Sequence, residues 1–300
     1  MMQIKSKRIF LYPAYFLSII FILGKCTSIS SKYPDGDFFV MVISDIHISN
    51  DETKDERLKD IIDKINQDTF ENLKLVVFTG DNVSSFLKNR ELGFESGNNR
   101  AAKFTRLIEG LNIPYMISLG NHCYKIDSDR DSDYPFSETD IEKMELLWQK
   151  TADIDPYYSF SLYGIKFIVL NSMRGNPQER IFDDEQLKWF QNELENGQPI
   201  LVFFHHPLET DNFKFWCNPK DLITAEKEPD FYRICEEYKS QIKAIFVGHG
   251  HMWEQDLLFG TIEVRETDSF ADNEKSPFHI AGIDTSKEKV SISRFEFYNN

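Results

Sequence analysis

Six of the seven histidines in this 300-residue chain fall in short polar clusters that directly follow apolar runs. The clusters are Ser44-Asp45-Ile46-His47, Thr79-Gly80-Asp81-Asn82, Gly120-Asn121-His122-Cys123, His205-His206-Pro207 and Gly248-His249-Gly250-His251. One histidine at a strand end is usually a hydrogen-bonded structural residue, but five clusters of the same kind point to a shared site. In extended backbone, residues two apart face the same way, so Asp45 with His47 and His249 with His251 can each aim at a common point. His205 and His206 are adjacent and face apart, so only one of them belongs in a ligand set. Imidazole with carboxylate suits Zn, Mn, Fe or Ni better than Ca, which prefers oxygen cages. The candidate ligands are Asp45, His47, Asp81, Asn121, His205, His249 and His251, too many for one tetrahedral ion. Two divalent ions are expected, with Asp81, set at a glycine turn, as the carboxylate that bridges them.

The elements that position these clusters are legible as well. Runs at 38–43, 73–78, 115–119, 200–204 and 244–247 have the length and composition of buried strands. Leu58, Ile61, Ile62 and Ile65 line one face of a helix, and 184–195 forms another, with Leu187, Phe190 and Leu194 as its apolar stripe and Gly197 and Pro199 as stop signals. Strands alternating with helices predict an α/β protein, in which reactive groups gather beyond the carboxyl ends of strands. There is no internal repeat and no linker in the body of the chain, so 37–298 reads as one domain. The tail 289–298 alternates like an edge strand, with its apolar phase shifting between Ile292 and Phe295. Stretches 84–100, 127–140 and 209–230 read as excursions, and Phe213, Phe215 and Trp216 make the third a partial lid.

Taken in order, Asp45-x-His47, Gly80-Asp81-Asn82, Gly120-Asn121-His122, His205-x-Pro207 and Gly248-His249-x-His251 resemble the five signature blocks of the calcineurin-like metallophosphoesterases. That resemblance implies a four-layer α-β-β-α sandwich of two mixed sheets. It implies one ion held by Asp45, His47, Asp81 and His251, and a second by Asp81, Asn121, His205 and His249. It also implies hydrolysis of phosphate mono- or diesters, in which a water between ions roughly 3.5–4 Å apart is acidified and attacks phosphorus in line. His122, beside Asn121 but facing elsewhere, would protonate the leaving oxygen. Glu185-Gln186-Leu187 and Trp189 resemble the helix before the His205 strand in small-substrate members. Two departures stand out. Cys123 replaces the acid that commonly follows the Asn-His pair, and reads as a buried hydrophobe or a further soft ligand. Ser84 stands where purple acid phosphatases carry an iron-binding tyrosine, so no tyrosinate colour is expected.

The formal net charge of -15 disfavours a nucleic-acid polymer or an anionic membrane as partner. A small phosphate ester is compatible, because two divalent ions outweigh Asp45 and Asp81 locally. Residues 1–26 differ from the rest: Lys5, Lys7 and Arg8, then an apolar run over 9–23 interrupted by Pro13, which reads as an export signal rather than a spanning helix. Leu23-Gly24-Lys25-Cys26 resembles a bacterial lipoprotein box, with Lys25 where a small residue is usual. Two outcomes follow, a lipid anchor on Cys26 or ordinary cleavage near Ser28 and Ser30. The expected location is periplasmic, secreted or cell-surface. The three cysteines after Cys26, Cys123, Cys217 and Cys235, are an odd, sparse set and no disulfide framework, although one Cys217–Cys235 bridge is open. The rival reading of function is a catalytically weak, metal-bound scaffold or binding protein on the same fold. A metallo-β-lactamase-type hydrolase is disfavoured, since the chain has no His-x-His-x-Asp-His cluster.

Overall fold

The structure is a computed structural model and describes residues 33–297 except 96, 128–137, 176–179, 217 and 273. The export segment with Cys26, and Cys217 with its possible bridge, lie outside the described residues. Among the described residues no helix is long and apolar enough to cross a membrane.

In chain order the described elements are β1 (Phe38–Ile43), α1 (Glu52–Asn66), β2 (Leu73–Thr79), α2 (Arg100–Ile108), β3 (Tyr115–Ser118), α3 (Glu138–Ala152), β4 (Tyr158–Leu162), β5 (Ile165–Val169), α4 (Asp184–Leu194), β6 (Ile200–Phe203), α5 (Pro229–Glu237), β7 (Ile242–Val247), β8 (Glu254–Leu258), β9 (Ile262–Glu266), β10 (Pro277–Asp284) and β11 (Lys289–Glu296). They build two sheets, ordered β11-β10-β1-β2-β3 and β4-β5-β6-β7-β9-β8. Both are mixed: β1, β2 and β3 run parallel, as do β5, β6, β7 and β9, while β10 and β11 in one sheet and β4 and β8 in the other pair antiparallel.

Side-chain alternation turns these sheets into four layers. In β1, Phe38, Val40 and Val42 join Phe167, Leu201, Phe203 and Phe246 of the other sheet in one apolar cluster between the sheets. The intervening Phe39, Met41 and Ile43 face outward onto Leu58, Ile61, Phe104 and Trp148 of α1, α2 and α3. Ile168, Val202 and Ile245 do the same on the second sheet, covered by Leu187 and Phe190 of α4 and Phe231 of α5. A strand buried on both faces needs apolar residues at every position, and that is why β1 reads as an unbroken hydrophobic run.

Helix starts follow their capping chemistry. Asp51 accepts from Thr53 N–H ahead of α1, and Asp183 accepts from Gln186 N–H ahead of α4. The phase shift in the tail has a physical cause. Val290 and Ile292 of β11 pack towards the space between the sheets and Phe295 towards the helix side, while the pairing with β10 stays in register throughout.

Candidate metal centre

β1, β2 and β3 are parallel, so the turns that follow them emerge on one edge of the first sheet; the turns after β6 and β7 meet them from the second. The turns are tied to each other by backbone: Asp45 N–H donates to Gly80 O (3.1 Å), His47 N–H to Asp81 O (2.8 Å) and Gly248 N–H to His205 O (2.9 Å).

Convergence of the paired residues is achieved differently from the strand alternation expected of them. Asp45 (φ 54°), His47 (φ 49°), Asp81 (φ 46°), His249 (φ 72°) and His251 (φ 50°) all adopt left-handed backbone. Non-glycine residues are rarely held there, and clusters of such strain mark sites where side-chain direction outranks backbone comfort. Each chain turns sharply at these residues, and the turn aims the side chains. Two glycines make room. A Cβ on Gly80 (φ 110°) would strike the His205 ring, and one on Gly120 would strike Asp81 Oδ1.

The seven expected ligands form two groups around one carboxylate oxygen. Asp81 Oδ1 accepts the His122 backbone N–H (2.7 Å), which leaves Oδ2 facing His205 Nε2 at 3.3 Å, His47 Nε2 at 3.8 Å and His122 Nε2 at 4.0 Å. In the first group, His251 Nε2 stands 3.2 Å from Asp45 Oδ1 and 3.3 Å from His47 Nε2, and His47 Nε2 is 3.6 Å from Asp45 Oδ1. In the second, Asn121 Oδ1 lies 3.1 Å from His205 Nε2 and 3.0 Å from His249 Nδ1.

The donor set fits cations. Asp45 Oδ1 is buried and accepts no hydrogen bond. His205 can give its Nδ1 proton to Thr79 O (3.0 Å), His251 its Nδ1 proton to Asp272 Oδ2 (2.7 Å), and His249 its Nε2 proton to Asp221 Oδ2 (3.1 Å). Each outer bond leaves the inner nitrogen with a lone pair, so lone pairs converge on lone pairs and only positive charge between them resolves the arrangement. The electrostatics agree. Burial alone would lower His205 and His251, yet the carboxylates of Asp81 and Asp45 push both up to about 9. Burial pulls Asp45 and Asp81 upward, and the facing imidazoles, His205 foremost, hold both well below the usual carboxylate range. A cation would take over the compensation that protons supply there.

His206 turns towards Ser172 and the His249 ring, whose centre is 4.8 Å from its own. It is buried, its Nδ1 is 2.7 Å from Ser172 Oγ, and burial drives it well below the ordinary histidine range. His122 also turns aside from Asn121. Its Nδ1 lies 3.0 Å from Ser84 O, so a backbone carbonyl orients the ring where the sequence offers no acid, and burial lowers its pKa. Cys123 is a core residue rather than a ligand: it is fully buried in the helix-side cluster, and burial pushes its thiol up to about 12. Trp148 Nε1 donates to Cys123 O (2.8 Å), which seats α3 against the Asn121–Tyr124 turn.

Sequence reasoning missed Asp221 and Asp272, the carboxylates behind His249 and His251. Neither sits in a motif, and only the tertiary fold brings them near. Asp221 lies in the excursion over 209–230, whose base is closed by a bridge between Leu208 and Ile223. In that excursion the Trp216 ring centre lies 5.8 Å from that of His249, and Phe215 is 75% exposed.

Fold and candidate ligands together define the class of metal-dependent phosphoesterases. The chain belongs to the calcineurin-like phosphoesterase family, whose model matches residues 40–253. It is 25% identical over 162 residues to probable purple acid phosphatase 20 of Arabidopsis thaliana, a match covering 51% of this chain and 35% of that protein. Its fold is that of a dimetal phosphatase from Danio rerio (TM-score 0.62, 14% identity, 87% of this chain and 97% of that one). It is also similar in fold to a putative 5'-nucleotidase from Staphylococcus aureus (TM-score 0.54, 14% identity, 88% of this chain and 55% of that one). The chain thus spans about a third of the plant protein's length and about half of the nucleotidase's.

Proposed function

We propose that this chain is an exported hydrolase of small phosphate mono- or diesters that works with two divalent transition-metal ions. In this reading Asp45, His47, Asp81 and His251 hold one ion, and Asp81, Asn121, His205 and His249 the other. Bound there, the ions would polarise the phosphoryl oxygens and acidify a water for attack on phosphorus. The residues of the chain do the rest. Asp81 keeps both groups in register through Oδ2, and His122, whose Nδ1–H is held by Ser84 O, presents Nε2 to the same space and, in its doubly protonated form, would hand the Nε2 proton to the departing alcohol. Leu23-Gly24-Lys25-Cys26 supports export and suits a lipid anchor on Cys26.

The observation that carries this reading is the shared oxygen: one buried carboxylate atom faces His205 from one group and His47 from the other. Its test is metal analysis of the purified protein, followed by a chromogenic monoester and a chromogenic diester assayed with added Mn or Zn. About two ions per chain and metal-dependent turnover of at least one ester are expected. Bound metal with no turnover of either would favour the scaffold reading.

A further inference from the structure

We infer that Asp221 is a positioning residue for the second ion, and that through it the 209–230 excursion is locked onto the metal centre. This inference rests on the two-ion reading and goes beyond it, because Asp221 lies outside the five sequence blocks.

Asp221 is 2% exposed, and a carboxylate so buried is costly unless positive charge or strong donors meet it. Its Oδ2 takes the Asn218 amide and faces His249 Nε2 at 3.1 Å, whereas its Oδ1 is buried without a hydrogen-bond partner. The ring nitrogen hydrogen-bonded to it is thus the outer nitrogen of a candidate ligand, with a nitrogen of His206 also within 4.8 Å. A proton on Nε2, held by Asp221, fixes the tautomer that leaves the Nδ1 lone pair aimed at Asn121 Oδ1, 3.0 Å away. It also makes the imidazole more electron-rich, which strengthens its bond to a cation.

The same contact has a second consequence. Glu209 N–H donates to Ile223 O (2.8 Å) and Ile223 N–H to Pro207 O (2.9 Å), so Asp221 sits at the closed base of the excursion while Trp216, further out, packs beside the His249 ring. An ion on His249 Nδ1 would favour Nε2–H and tighten its bond to Asp221. Ion binding and seating of Trp216 are therefore linked, and each must favour the other to the same extent.

The test titrates metal-stripped full chain with Mn2+ by calorimetry, with tryptophan fluorescence followed in parallel, for the wild type, Asp221→Asn, Asp221→Ala and Trp216→Phe. The wild type is expected to bind two ions with a fluorescence change that Trp216→Phe abolishes. Asp221→Ala should weaken only the second ion, by about 10–100-fold, and Asp221→Asn by less, since its amide oxygen still accepts from Nε2–H. A second-ion affinity in the folded Asp221→Ala variant equal to that of the wild type would overturn the inference while leaving the two-ion reading intact. No Mn2+ binding by the wild type would instead remove that reading itself. A third ion lost from both Asp221 variants would overturn the positioning role by making His206, Asp221 and His249 a cation site of their own.

Discussion

The two groups of candidate ligands share a carboxylate oxygen but have different surroundings. His251 in the first is 35% exposed and braced by Asp272, itself 56% exposed, whereas His205 in the second is fully buried and His249 is braced by the buried Asp221. A ligand held by buried partners is pre-organised, and one held by a surface carboxylate can move with little resistance. In the proposed assignment the second group is built to retain its ion and the first to exchange ion or substrate with solvent. A chelator should therefore empty the first group before the second.

The most damaging way to break this comparison is Asp81→Asn, since that residue serves both groups. We expect metal content and turnover to fall together, turnover by more than about 100-fold, beyond what loss of a residue supporting a single ligand produces; a fully loaded, active variant would refute the shared role. Next comes His122→Ala, which belongs to neither group. Both ions should stay bound while kcat falls about 100-fold or more, most for esters with poor leaving groups. Metal loss in that variant would make His122 a ligand.

A gentler probe is pH. His205 and His251 rise from 6.5 to about 9 in the folded metal-free chain, and burial raises Glu266 from 4.5 to about 8. A raised folded-state pKa contributes stability below the unfolded value that is lost as pH rises through the folded value. The melting temperature of the metal-free protein should therefore fall between pH 6.5 and 9, the window set by these histidines. Mn2+ affinity should rise over the same interval, because ions and protons compete for the same nitrogens. A flat stability curve with flat affinity would contradict the charge compensation described for the site.

The smallest expected effect contrasts two left-handed glycines. Gly260→Ala (φ 66°) meets open space and should cost about 1–2 kcal/mol in denaturant unfolding. Gly80→Ala should cost more and also lower metal content, because its methyl group would enter the His205 ring. Equal losses for the pair would show that Gly80 matters only for its backbone.

Much of the molecule was legible from sequence because the site strands are buried on both faces, so β1, β2, β6 and β7 appear as apolar runs that end in reactive residues. β8 escaped notice because it is an edge strand of mixed exposure, Glu254-Gln255-Asp256, with no such run. The convergence of Asp45 with His47 was foreseen on the wrong geometry: sequence spacing suggested extended backbone, and left-handed turns do the work. Asp221 and Asp272 were invisible because the positions of outer partners depend on how loops return to the site. Local pattern carries no record of that.

The seam between the two sheets runs through the candidate centre. Asp45, His47, Asp81 and Asn121 follow strands of one sheet, and His205, His249 and His251 follow strands of the other. Neither half of the sandwich holds a full donor set, and a nascent chain that has not yet reached His249 lacks a member of both groups. Metal capture in the proposed assignment is accordingly a late step of maturation. The ions would close the structure like a keystone, recognising only a molecule whose two halves have already met.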